Sequence, residues 1–153
     1  MTKASLLFLD SSALIRRLLD EPGSAEIQML LDTHRKAVFF STVSVVEVLK
    51  ELAGRYRKGL LPKAAYEAAC ERFGAELRGS GFVVLDFKLE AFEEVTEIAQ
   101  RHGLDYDDAL HFTIIKKHLE VFGKDAAQFV SSDEKFLKAA REEGFHVFRP
   151  GAP

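Results

Sequence analysis

The sequence predicts an α/β protein with a central, mostly parallel sheet of four to five strands and helices on both faces of that sheet. Short apolar runs of strand length alternate with longer segments whose apolar residues recur at helical spacing. Such alternation requires crossover connections, which make neighbouring strands parallel and cover both faces of the sheet. Hydrophobic residues make up 47% of the 153 residues, enough for one domain with a real core. Because the chain has no repeat, low-complexity tract or linker, we expect a single domain over residues 1–153.

The expected strands are four short apolar or aromatic runs and a fifth candidate near the C-terminus, namely Leu6–Leu9, Ala37–Phe40, Phe82–Leu85, Gln128–Val130 and His146–Phe148. The segments with helical spacing lie between and after these runs, at Ser12–Leu19, Ser24–Asp32, Val43–Lys58, Pro62–Leu77, Leu89–His102, Tyr106–His118 and Glu134–Glu143. Glycines at 103 and 144 stand where helices are expected to end. Ligands of such sheets bind beyond the carboxyl ends of the strands, so we look for chemistry there.

Composition and charge narrow the function. A net charge of −3 argues against a broad basic surface that coats nucleic acid, but it leaves room for a nuclease whose carboxylates hold metal ions. Cys70 is the only cysteine, so an internal disulfide is impossible, which fits a reducing compartment. The apolar run at residues 4–9 is too short for a signal peptide or a membrane span. We therefore expect a soluble, cytoplasmic protein that makes no membrane contact.

Four carboxylates occupy positions that favour a shared site. Asp10 and Asp133 each follow an expected strand and precede a helix. Asp108 opens a helix one turn before Phe112 and is expected to face inward, whereas Asp107 faces outward. Glu47 stands in an apolar helix, where an unpaired carboxylate costs several kcal/mol (roughly 3 or more) and so needs a partner.

Each acid also has a purely structural explanation. Asp10 and Asp133 suit helix N-caps, and Ser44 with Glu47 has the spacing of a capping box. Aspartates at the start of a helix also interact favourably with the helix macrodipole, which accounts for part of the run of aspartates at residues 105–108. Taken together, however, the four acids are aimed at one edge of the sheet, where unpaired carboxylates repel each other. Divalent cations that prefer oxygen ligands resolve that repulsion.

At these residues the sequence resembles the PIN domain family, and within it the VapC-type toxins of toxin–antitoxin pairs. The matching pieces span nearly the whole chain and run over residues 8–15, 44–49, 104–111 and 129–136. The resemblance implies a PIN fold, dependence on Mg²⁺ or Mn²⁺, and endonucleolytic cleavage of RNA, with a cognate antitoxin as partner. It assigns Asp10, Glu47 and Asp108 as the main metal-binding acids and Asp133 as a more variable fourth. The 25-residue spacing between Asp108 and Asp133 is long for the family, and residues 122–127 are a candidate extra turn.

The expected chemistry is hydrolysis of a phosphodiester at a two-metal site. One metal turns a bound water into hydroxide, and the second steadies the leaving oxygen. Asp10 and Asp108 are candidates for a shared metal, Glu47 for ligating or orienting the water, and Asp133 for completing the second site. A metal-hydroxide route needs no 2′-hydroxyl, so the choice of RNA rests on the resemblance.

Other residues have weaker assignments. His111 is expected to be a packed, hydrogen-bonded histidine rather than a general base. Ser12 is expected to cap a helix, although its hydroxyl could also bind a metal ligand or a phosphate. Arg16 and Arg17 could bind phosphate or simply face solvent. The long helices at 43–58 and 62–77 offer more apolar surface than one sheet face needs, which together with the resemblance predicts a homodimer.

Other classes of protein fit the sequence less well than a metal-dependent nuclease. No glycine-rich fingerprint follows the first strand, which excludes dinucleotide and P-loop sites. An aspartyl phosphatase would want a second acid two residues after Asp10, where Ser12 stands. The alternatives that remain open are a PIN ribonuclease of RNA maturation and a catalytically weak PIN-like binding module.

Overall fold

The computed structural model describes residues 6–33, 37–79 and 81–151, and it confirms the α/β architecture. Five strands form one sheet in the order β3-β2-β1-β4-β5, and every neighbouring pair is parallel. The strands are β1 (Leu6–Leu9), β2 (Ala37–Ser41), β3 (Phe82–Leu85), β4 (Ala127–Val130) and β5 (His146–Phe148). Residues 4 and 5 of the first apolar run lie outside the described residues.

Seven α-helices connect these strands within the described ranges. They are α1 (Ser11–Leu18), α2 (Ser24–Thr33), α3 (Thr42–Arg57), α4 (Lys63–Arg78), α5 (Phe92–His102), α6 (Tyr106–Phe122) and α7 (Glu134–Glu142). Short 3₁₀ turns occupy Leu89–Ala91 and Lys124–Ala126. None of the helices in the described part of the chain is long and apolar enough to cross a membrane.

Helix α6 continues four residues beyond the predicted end at His118. Leu119 is fully buried and keeps the helix packed on the sheet, whereas Val121 is 80% exposed and breaks the apolar pattern. The helix ends at Gly123, which has a φ of +86°. The extra turn that the sequence suggested at residues 122–127 corresponds to the end of α6 and the 3₁₀ turn before β4.

The two faces of the sheet carry two separate cores. Alternate residues of a strand point to opposite faces, so Phe8 packs with Phe39 and Phe129 under α5, α6 and α7. Leu7 and Leu9 point the other way and pack under α1 to α4. Burial on both faces explains why the three central strands, β1, β2 and β4, read as continuous apolar runs rather than as alternating ones.

The connections place a switch point beside β1. From β1 the chain moves outward to β2 and β3, then crosses over to β4 on the other side of β1. The helices that follow β1 and β4 therefore leave the sheet in opposite directions, which opens a crevice at the carboxyl ends of these two strands. Asp10 and Asp133 follow these strands.

Candidate active site

Asp10 connects the end of β1 to α1 and is only 8% exposed. Its Oδ1 accepts hydrogen bonds from the Ala13 amide at 3.0 Å and from the Ser12 hydroxyl at 2.6 Å. Its Oδ2 accepts a hydrogen bond from the hydroxyl of Ser131. Burial raises the pKa of Asp10, the two serine hydroxyls oppose that rise, and the negative charge of Glu47 adds to it. Asp10 is therefore the N-cap that the structural explanation required, and it also lies at the crevice.

The junction after β4 is bound to the junction after β1 by serine hydroxyls. The Ser132 amide donates to Ser12 Oγ at 2.9 Å, and the Asp133 amide donates to Ser131 Oγ at 2.9 Å. The exposed Asp133 caps α7, with its Oδ1 accepting from the Lys135 amide at 2.9 Å. Ser12 therefore connects the two strand ends rather than capping α1.

Asp108 lies in the first turn of α6 and is half-buried, whereas Asp107 is exposed, as the helical phase predicts. The pKa of Asp108 is raised to about 6, first by burial and then by the negative charges of Asp133, Glu47, Asp105 and Asp10. Asp10, Glu47 and Asp133 are the other three predicted site residues. Their shared influence on Asp108 means that the fold brings the four acids to one edge of the sheet.

Glu47 has no capping role in α3. The helix begins at Thr42 and its N-cap is Ser41, whose hydroxyl accepts from the Ser44 amide at 3.2 Å, so the proposed Ser44–Glu47 capping box does not form. The apolar residues around Glu47 do not enclose its carboxylate, contrary to the expectation of a buried group in need of a partner. Val46 is 65% exposed and Leu49 is 46% exposed, because α3 buries only one side in the core. Glu47 itself is half-buried.

His111 is packed and hydrogen-bonded, as predicted. It is 4% exposed, and its Nδ1 lies 2.5 Å from Ser41 Oγ and 3.1 Å from Ser44 Oγ. Burial lowers the pKa of His111 to about 3, so the ring is neutral at pH 7. Because Ser41 caps α3 and His111 belongs to α6, this buried contact fixes the helix of Glu47 against the helix of Asp108. The sequence did not predict that Ser41 and Ser131 support the site, because their hydrogen-bond partners lie far away in the chain.

The donor chemistry of the four acids suits a hard divalent cation. All the groups are carboxylates, and the pKa of Asp108 is raised first by burial and then by the negative charges of the other acids. Within the described ranges, no three Asp, Glu, His or Cys side chains form a ready-made group for a metal ion. Both oxygens of Asp10 are already engaged by hydrogen bonds. A cation at this edge therefore requires some of the carboxylates to turn towards it.

Comparison with known proteins places the chain among solved structures of similar fold. VapC20 of Mycobacterium tuberculosis, described as a toxin that cleaves the sarcin–ricin loop, is 20% identical with a TM-score of 0.64, over 94% of this chain and 99% of that one. PAE2754 of Pyrobaculum aerophilum is 21% identical with a TM-score of 0.63, over 94% and 84% of the two chains. FitAcB of Neisseria gonorrhoeae is 19% identical with a TM-score of 0.62, over 93% and 96%.

These likenesses are low in identity and show the fold. A comparison with curated protein sequences finds none that matches this chain. The model of the PIN domain family matches residues 7–142, which include all four acids at the crevice. The chain therefore belongs to the PIN domain family.

Proposed function

We propose that this chain is a metal-dependent endoribonuclease and the toxin of a type II toxin–antitoxin pair, acting in the cytoplasm. The observation that carries the proposal is that Asp10, Glu47 and Asp133 lie close enough to the half-buried Asp108 for their charges to add to the effect of burial, which together raise its pKa to about 6. Carboxylates that repel each other at the switch point of a sheet are a costly arrangement for stability alone. Membership in the PIN family supports a nuclease, and the resemblance to VapC-type toxins supports RNA as the substrate.

The roles follow from how each side chain is held. Asp10 and Asp108 are the proposed ligands of one cation, Asp133 completes a second position, and Glu47 ligates or orients the attacking water. When bound, Mg²⁺ or Mn²⁺ lowers the pKa of water and neutralises the negative charge of the phosphodiester. Ser12 and Ser131 hold the Asp10 carboxylate at the crevice through their hydroxyls.

Two partners belong to the same proposal. A toxin that cleaves RNA requires an inhibitor in its own cell, so we propose a cognate antitoxin protein that covers the carboxylate edge. We also propose a homodimer, because apolar side chains of α3 such as Val46 and Leu49 are exposed in the single chain.

The direct test is cleavage of an RNA substrate by the purified protein with Mg²⁺ or Mn²⁺ and with EDTA. We expect cleavage with metal and none in chelator. Asp10→Asn, Glu47→Gln and Asp108→Asn should each lower the rate by about 100-fold or more, because a metal site is worth several kcal/mol to the transition state. Asp107→Asn is the matched control, since Asp107 is exposed and is not among the charges that raise the pKa of Asp108. Activity that persists in EDTA, or a loss confined to Asp107→Asn, would contradict the proposal.

The role as a toxin is tested in cells. Expression of the chain should arrest growth and fragment RNA, and co-expression of the antitoxin that the proposal requires, encoded by a small gene beside that of the chain, should relieve both effects. RNA cleavage without growth arrest would instead indicate an enzyme of RNA maturation.

A further inference from the structure

A cleft of about 620 Å³ lies beside Glu47, between α1 and α3. Its lining includes hydroxyl groups of the first turn of α1, two acids besides Glu47, and the basic side chains Arg16, Lys50 and Arg55. The sequence left Arg16 open as either a phosphate ligand or a solvated side chain. The surroundings of Arg16 in the structure favour its role as a phosphate ligand.

Arg16 is held in place by two backbone carbonyls. Its Nε donates to the Pro22 carbonyl at 2.8 Å, and its Nη1 donates to the Ser12 carbonyl at 3.2 Å. Gly23 makes room for it, because a Cβ at that position would stand 2.9 Å from Arg16 Nε, and the φ of +95° there also favours glycine. A guanidinium has five N–H donors, so about three remain available. Within the described part of the chain, Arg16 has no carboxylate partner.

The other two cations of the cleft differ in how they are paired. Arg55 is neutralised by Glu21 at 2.8 Å and by Glu51 at 2.7 Å. Lys50 makes no ion pair or hydrogen bond to any described residue. It follows Glu47 by three positions on α3, so the two side chains share one side of the helix. The cleft therefore offers two unpaired cations, Arg16 and Lys50, next to a proposed metal-ligating acid.

We propose that this cleft binds a backbone phosphate of the RNA strand adjacent to the phosphate that is cleaved. Arg16 is the primary ligand. Hydrogen bonds already fix the orientation of its planar guanidinium, whose paired N–H groups match the spacing of phosphate oxygens. Lys50 contributes a second positive charge from the opposite wall. The inference rests on the proposed function, because it takes the strand to run from the carboxylate edge into this cleft. It makes Arg16 and Lys50 binding residues rather than catalytic ones.

The test combines binding and turnover for Arg16→Gln and Lys50→Gln. Arg57→Gln and Lys58→Gln are matched controls, because both are exposed near the C-terminal end of α3, outside the cleft, and carry the same charge change. Binding of a fluorescent RNA oligonucleotide is followed in EDTA at several salt concentrations, so it does not depend on cleavage. We expect each cleft variant to weaken binding about tenfold, as loss of a charged hydrogen bond does. The logarithm of the association constant falls linearly with the logarithm of the salt concentration, and the steepness of this decline should decrease by about 0.7 to 1.

In steady state the cleft variants should raise KM for RNA and leave kcat unchanged. Arg16 also donates to the Pro22 carbonyl, so a second variant is needed to separate charge from structure. Arg16→Lys keeps the positive charge without the guanidinium, and its RNA affinity should lie between those of wild type and Arg16→Gln. Unchanged RNA affinity and salt slope in the two cleft variants would overturn the subsite. If no RNA is cleaved with metal but binding in EDTA still depends on Arg16, the nuclease proposal fails, and the cleft is shown to bind an RNA phosphate without serving cleavage.

Discussion

The carboxylate of Asp10 serves the fold and the candidate site at the same time. One oxygen caps α1 through the Ala13 amide, and the other accepts from Ser131 beyond the neighbouring strand. The side chain is nearly buried and its pKa is raised, so each of these hydrogen bonds compensates for lost hydration. A carboxylate held this firmly is oriented before any ligand arrives.

We therefore expect Ser131→Ala to affect both stability and cleavage. The serine is fully buried, so its removal leaves a carboxylate oxygen unsatisfied and should cost about 1–3 kcal/mol of unfolding free energy. Urea denaturation with and without the substitution measures this loss. Ser11→Ala is the matched control, because the Ser11 side chain makes no hydrogen bond within the described residues. Equal unfolding free energies for the two variants would show that Ser131 does not hold Asp10.

The sequence indicated the four acids but not the serines that hold them. Strand ends and helix starts are visible in the pattern of apolar residues, which is how Asp10, Asp108 and Asp133 were found. The contact of Ser131 with Asp10 depends on β4 lying next to β1, and neighbouring strands in space cannot be read from their order in the chain. The side-chain rotations that a cation would require are likewise outside the reach of the sequence.

At the scale of elements, the buried contact between α3 and α6 determines how the acids face each other. His111 on α6 contacts Ser41, which ends β2 and caps α3, and also Ser44 in the first turn of α3. Glu47 and Asp108 lie within a turn or so of these residues. The relative position of the two acids is therefore set by a neutral, buried imidazole.

Protonation of His111 should weaken this contact and the whole fold. Its pKa is about 3 in the folded state against about 6.5 unfolded, so the unfolded chain binds more protons between these values. The stability that the neutral ring contributes is fully present above pH 6.5 and is lost as the pH falls towards 3. We expect a slope of up to about 1.4 kcal/mol per pH unit from this residue. His111→Gln cannot protonate, so its unfolding free energy should fall less steeply than that of wild type. Parallel curves from pH 6.5 to 4 would contradict this.

Most elements were predicted to within a few residues, and the errors have local causes. The capping box at Ser44 and Glu47 was wrong because Ser41, the last residue of a buried strand, already caps α3. The end of α6 was placed too early because Val121 and Phe122 are exposed and interrupt the apolar pattern.

At the scale of the whole molecule, the exposed apolar side chains of α3 and of the turn after it call for a partner. Leu49 is 46% exposed and Leu60 is 72% exposed. We expect light scattering at micromolar concentration to give twice the 17.1 kDa chain mass. Leu49→Lys and Leu60→Glu should shift the mass towards the monomer, because they place charge in the apolar contact. Val121→Lys, on the far side of the sheet, is the control. A clean monomer mass for the wild-type protein would refute the dimer.

The acids at the crevice are electrostatically strained because they lie close together and one of them is partly buried. The pKa of Asp108 is about 6 in the folded state against 3.8 unfolded, so the folded state binds protons more readily. The associated stability is present below about pH 4 and is lost as the pH rises through 6. His111 acts in the opposite direction over the same window, so the pH dependence of wild type alone does not isolate Asp108. The difference between wild type and Asp108→Asn does.

The most direct measurement is a thermal melt of the wild-type protein and of Asp108→Asn, in EDTA and in millimolar Mg²⁺. In EDTA at pH 7 we expect the variant to melt at a higher temperature, with an unfolding free energy greater by about 1–2 kcal/mol after allowance for solvent screening, because it lacks a charge that is partly buried and repelled by the other acids. The difference should vanish near pH 4, where Asp108 is protonated. Mg²⁺ should stabilise wild type by mass action and the variant much less. If Asp108→Asn instead melts below wild type in EDTA, and wild type gains nothing from Mg²⁺, these acids are not a shared cation site.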